Sequence, residues 1–139
     1  MSAPTHRVMS LDDVVANRRR GGALRILLSP VTTGSTAGFL GVATVEPGEQ
    51  VDEHYHPYSE EFLFVVEGSI TLDLDDVPHA LTRDQAVLVP IGTRHRLRNT
   101  GSTTARVLFQ LSPLAPAPEL GHVDTETGGT RHVRVEGAR

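Results

Sequence analysis

The sequence contains no cysteine. Disulfide scaffolds, thiolate zinc sites and cysteine nucleophiles are thereby excluded. No apolar run approaches the roughly 20 residues that cross a bilayer, so no membrane association is expected. Met1 to Ser10 lack the apolar stretch of a secretory signal, and a cytoplasmic location is expected. Positive charge is in deficit: 13 Lys and Arg stand against 17 Asp and Glu, a net charge of -4. Nucleic-acid binding needs a basic footprint and is not expected. Aromatic residues make up only 4% of the chain, with Phe39, Phe62, Phe64 and Phe109 supplying apolar bulk. No repeat of roughly 20–50 residues is visible, which argues against solenoids and propellers.

What is present points to strands. At 139 residues the chain makes one domain, long enough to bury a core without staples. Its 13 glycines and nine prolines fall at short intervals, as turns do. Ser10 is placed to cap a short helical turn, and Asn17 to Gly22 breaks it. Short apolar runs follow: Leu24 to Leu28, Phe39 to Val45, Val51 to His56, Glu61 to Val66, Ile70 to Leu74, Gln85 to Val89, His95 to Arg98 and Ala105 to Leu111. Turn residues separate them, among them Pro47-Gly48, Pro57 to Ser59, Asp75 to Pro78 and Pro90 to Gly92. This spacing predicts an all-β sandwich or barrel. The expected organisation is an N-terminal arm over 1–22, a barrel over 23–112 and a proline-rich C-terminal arm and tail over 113–139. Ser112 to Pro118 reads as an extended polyproline-like arm. The tail from Gly121 to Arg139 is expected to be partly disordered, or ordered only by lying across the barrel or a partner subunit.

The histidines carry the chemistry. His54 and His56 are two apart in a strand-like run, so alternation puts them on one face. Glu61, Leu63 and Val65 share a face of the next strand, and His95 begins a later one. Three imidazoles and a carboxylate from separate strands make a nitrogen/oxygen site suited to zinc, iron, nickel, copper or manganese. Glu60 is expected to point away as a surface charge. Arg94, Arg96 and Arg98 alternate opposite His95 and are expected in surface ion pairs, while Arg18 to Arg20 read as a solvated loop. His6, His79 and His132 sit in polar surroundings and are expected to be exposed. Tyr55 should point outward and Tyr58 should lie near the barrel mouth. Gln110 either lines a pocket or faces solvent. Phe62 and Phe64 lie opposite Glu61 and need a cover, which with the proline arm suggests a homodimer.

The run Gly48-x5-His54-x-His56-x4-Glu61-x6-Gly68 resembles the first motif of the cupin family, and Pro90-x-Gly92-x2-His95-x3-Asn99 the second. One position departs: Asp84 stands where the second motif opens with glycine, and aspartate tolerates turn conformations. The resemblance implies a jelly-roll β-sandwich barrel with a metal held by His54, His56, Glu61 and His95. Asn17 to Gly22, His54 to Phe62 and Ser112 to Asp124 also resemble the small cupins of actinomycete aromatic polyketide clusters, including the tetracenomycin-type and resistomycin-type cyclases. That implies an enzyme closing rings in a poly-β-ketone, with zinc as in the resistomycin type. The small-molecule substrate would come by contact with an acyl carrier protein or the synthase. In such a reaction Glu61 is a candidate proton acceptor and His95 an essential ligand. Two other readings stay open at this point: an iron- or nickel-dependent dioxygenase, and a non-catalytic accessory protein of the synthase.

Overall fold

The computed structural model describes residues 6–131. In Ala105–Ser112 every second residue is buried, beginning with Ala105 and Val107 and ending with Phe109 and Leu111. The same period governs Glu60–Glu67, where Glu61, Leu63 and Val65 face inward. A strand whose apolar residues recur every second position must cover that face with another sheet. Two five-stranded antiparallel sheets do so. In chain order the strands are β1 (Ala23–Leu28), β2 (Phe39–Val45), β3 (Gln50–Tyr55), β4 (Glu60–Glu67), β5 (Ser69–Leu74), β6 (Val77–Thr82), β7 (Ala86–Val89), β8 (His95–Arg98), β9 (Ala105–Ser112), β10 (Val123–Asp124), β11 (Glu126–Thr127) and β12 (Thr130–Arg131). One sheet has the order β1-β2-β9-β4-β7, the other β10-β3-β8-β5-β6, and β11 pairs with β12. The architecture is an all-β jelly-roll sandwich. Its core joins Val45, Val65 and Val107 of the first sheet to Val51, Leu72 and Leu97 of the second.

Two turns fix the geometry between strands. Gly68 joins β4 to β5 at φ 75°, and a Cβ there would lie 2.5 Å from the Thr104 carbonyl oxygen. Only glycine satisfies both the left-handed conformation and the close approach. Asp84 adopts φ 71°, so the aspartate does occupy a left-handed turn position. Ser10 stands ahead of a single 3-10 turn, Leu11–Asp13, and its backbone N–H donates to Asp13 Oδ2 at 2.8 Å.

Beyond Ser112 the chain folds back over its own sandwich, and a 3-10 turn at Pro118–Leu120 leads into β10 against β3. Val123–Asp124 thus lies along the second sheet and Glu126–Thr127 pairs with Thr130–Arg131, while 132–139, with His132 among them, lie outside the described residues. No described helix is long and apolar enough to cross a membrane.

Candidate metal centre

A register shift in β3 brings the histidines inward. Val51 pairs with Leu97 and His54 with His95, and the ladder is irregular between them. Val51 and His54 are three apart, so strict alternation would put them on opposite faces; the shift lets both face inward. Glu53 is turned to the outer side, where Arg94 reaches it at 3.1 Å. His56 follows the end of β3, and its carbonyl accepts from the Gly92 N–H at 2.9 Å, tying the two motifs together.

His54, His56, Glu61 and His95 are all buried, and one potential ligand atom from each lies within 4.8 Å of the others. Each imidazole is held from behind. His54 Nδ1–H donates to the Asp52 carbonyl at 2.7 Å, His56 Nδ1–H to Gly121 at 2.9 Å and His95 Nδ1–H to Thr93 at 2.9 Å. A carbonyl can only accept, so the proton sits on Nδ1 and the Nε2 lone pairs are left for another partner. Such backing orients histidine ligands in metal sites. Nε2 of His95 lies 2.9 Å from Glu61 Oε1 and Nε2 of His56 3.4 Å from it. These three buried atoms nevertheless make no hydrogen bond of acceptable geometry. A divalent cation among them satisfies all three at once, and the donor set of three nitrogens and a carboxylate fits one.

The electrostatics agree. Burial raises the Glu61 carboxyl, but His56 and His95 override it and hold Glu61 well below the usual carboxylate range. Burial lowers His95, yet Glu61 reverses the direction and raises it above its ordinary value. Both shifts say that positive charge is favoured between these side chains. Burial, then the neighbouring histidines, push His54 well below its ordinary value, which keeps it a neutral donor.

A cavity of about 750 Å³ opens onto the four side chains, with Leu63, Leu72, Phe109 and Leu111 in its wall. Leu114, Ala115, Pro116 and Pro118 of the proline arm also line it, so that arm covers its own cavity. Arg20 lines it too and lies 3.4 Å from Asp124. Only Arg18 and Arg19 are exposed as a solvated loop would be.

His122 was not singled out by the sequence. Its ring stacks on His54 at 4.2 Å and 13°, its Nε2 is 2.6 Å from Asp124 Oδ1, and it lines the cavity. Burial and the Arg20 charge push it down to about 4, against the pull of Asp124. Its only signal in the sequence was membership of the Ser112 to Asp124 segment. Arg94, Arg96 and Arg98 do avoid the cavity, but Arg94 pairs with buried Glu53, Arg96 with buried Glu126 and Asp73, and Arg98 with Asp73. Gln110 pairs across from Phe62 on the outer face. Glu60 is half-buried, as is Tyr55, while Tyr58, His6 and His79 are exposed.

Residues 41–110 match the family model described as Cupin domain. The chain is 58% identical to Protein SchB of Streptomyces halstedii, over 91% of each chain. It is 49% identical to Tetracenomycin polyketide synthase protein TcmJ of Streptomyces glaucescens, over 85% of this chain and 79% of that one. The crystal structure of the polyketide cyclase RemF from Streptomyces resistomycificus superposes with a TM-score of 0.71 at 20% identity, over 92% of this chain and 91% of that one.

Proposed function

This chain belongs to the cupin family, and on that premise we propose that it is a metal-dependent cyclase of aromatic polyketide biosynthesis, acting in the cytoplasm on a poly-β-ketone intermediate. One observation carries the reading: four ligand atoms within 4.8 Å of one another face an apolar cavity of about 750 Å³. The names of TcmJ and RemF, a polyketide synthase protein and a polyketide cyclase, support the substrate class.

In this proposal His54, His56, Glu61 and His95 hold the metal, zinc by preference. When bound, the metal supplies Lewis-acid polarisation of a substrate carbonyl oxygen. The chain's own residues do the rest. Leu63, Leu72, Phe109 and Leu111 exclude water, which strengthens every charge interaction in the cavity. The wall and the arm over it confine a flexible chain so that two of its carbons meet. Glu61, as the ligand that detaches from the site, accepts the proton from the carbon flanked by two carbonyls. That carbon then bonds to the carbon of a more distant carbonyl, whose oxygen takes up that proton to become a hydroxyl; the attacking carbon gives up its second hydrogen as the hydroxyl leaves, so water departs and a C=C bond forms in its place. No oxidation state changes, so oxygen is not consumed.

The test is reconstitution with a minimal polyketide synthase and its acyl carrier protein. Wild-type protein is expected to shift spontaneously cyclised shunt products to one ring pattern, with or without oxygen. His95→Ala is expected to stay folded and lose that effect. A requirement for oxygen, or a His95→Ala protein that directs cyclisation as wild type does, overturns the proposal.

A homodimer is part of the same reading. Phe62 and Phe64 of β4 and Leu88 of β7 are exposed on one outer face, with Phe62 opposite Leu88 in register. A two-fold interface buries the same patch from both copies. Light scattering is expected to give twice the 15.0 kDa chain mass, and a particle of the chain mass alone counts against it.

A further inference from the structure

Glu126 is 1% exposed, in a two-residue strand on the outer side of the second sheet, and the proposed reaction does not use it. A buried carboxylate is costly unless its oxygens are satisfied. Here donors converge on it: the Glu53 backbone N–H at 2.6 Å, Arg96 Nε at 2.5 Å, Arg96 Nη2 at 2.8 Å and Gln50 Nε2 at 3.4 Å. The paired guanidinium contacts are the directional, charge-assisted kind.

From this anchor the chain runs back to the metal centre. Thr125 N–H donates to the Glu53 carbonyl at 3.0 Å, and its hydroxyl to Glu53 Oε1 at 2.8 Å. Asp124 then pairs opposite His54, His122 stacks on the His54 ring, and the Gly121 carbonyl accepts from His56 Nδ1–H. Two of the four ligands are thus backed by a strap whose own strand, Val123–Asp124, is two residues long. So short a pairing is not stable by itself.

We propose that Glu126 and Arg96 form a latch that positions His54 and His56 for the metal by seating the strap formed by residues 121–126. The inference rests on the reading of the cluster as a metal site. Loss of an outer partner that orients a histidine ligand typically weakens metal binding. The Glu126 and Arg96 side chains line no part of the cavity and bond to each other and to Asp73, Gln50 and the Glu53 backbone rather than to a ligand side chain, so they are positioning residues.

The test is zinc affinity of the metal-stripped full chain, in competition with a chromophoric chelator, together with the visible spectrum of the cobalt-loaded protein. Glu126→Gln and Glu126→Asp are expected to bind zinc about 10–100-fold more weakly than wild type and to show an altered cobalt spectrum. Glu126→Asp keeps the charge but is too short to reach all its donors, and it decides the matter if Glu126→Gln fails to fold. Leu81→Ala, a core truncation in β6 away from the cavity, is expected to lower the melting temperature and leave zinc affinity unchanged. A folded Glu126→Asp protein with wild-type affinity and spectrum overturns the latch. So does a Leu81→Ala protein that loses as much affinity, since general loosening then suffices. If wild type binds neither zinc nor cobalt, the metal reading itself fails.

Discussion

Asn99 and His95 belong to the same motif and do different work. Asn99 is 2% exposed, and its amide nitrogen donates to the Val45 and Thr103 carbonyls at 2.8 Å each, while its side-chain oxygen accepts from the Gly101 N–H at 3.0 Å. It ties the β8–β9 turn to the end of β2 and lines no part of the cavity. Asn99→Ala is expected to leave two carbonyls and an N–H without their partner and to cost about 2–4 kcal/mol. Urea denaturation measures that cost, and zinc affinity of the folded variant should match wild type. His54, His56, Glu61 and His95 were legible because their spacing and strand period are local facts. His122 was not, because its place beside His54 depends on a strap that returns from far along the chain with no periodic pattern.

At the scale of elements, the same contrast separates strands that were read from those that were not. The runs that became β4 and β9 alternate cleanly because one face of each is buried. Val77–Thr82 gave no such signal: it is exposed at every position but Leu81, and it includes Pro78. It is an edge strand beside β5, where a missing N–H donor is tolerated. Its neighbour β5 is pinned to β8 by Asp73, whose carboxylate accepts from Arg98 Nε and Nη2 at 2.8 Å each and from Arg96 Nη1 at 3.3 Å. Burial raises the Asp73 carboxyl, but Arg98 and Arg96 outweigh it and hold it below its ordinary value. A carboxyl lowered on folding stabilises fully above its unfolded value near ~3.9, and that stability is lost as pH falls through the folded value. Asp73→Asn is therefore expected to cost about 1–2 kcal/mol near neutrality, discounted because both arginines are partly in water. The variant should also show a flatter decline of stability below about pH 4. Urea midpoints measured across that range check both the cost and the sign.

For the whole molecule, the question is whether the metal holds the fold or the fold holds the metal. Val45, Val65, Leu72 and Val107 are fully buried between the sheets, in an apolar core that reaches from Ala43 of β2 to Leu97 of β8. The ladders that join β1, β2, β9, β4 and β7 close without the histidines, although Glu61 lies in two of them, opposite Val89 and opposite Leu111. Where the cluster holds a metal as proposed, removing it takes away a bound ligand and leaves the core in place. Binding to the folded state alone adds about 4 kcal/mol when free metal exceeds the dissociation constant by about a thousandfold. For a domain of this size that corresponds to a rise of roughly 10–15 °C in melting temperature. Chelated protein is expected to keep its far-ultraviolet circular dichroism at room temperature and to melt lower by that order, with the difference restored by zinc. His54→Ala should melt like the chelated protein and gain nothing from zinc, because one backed imidazole is gone while the sandwich is intact. Unfolding on chelation at room temperature would reverse the order of cause, making the ion a structural staple. The cluster would then be part of the core, and an apolar cavity leading to it would lose its purpose as an approach for substrate.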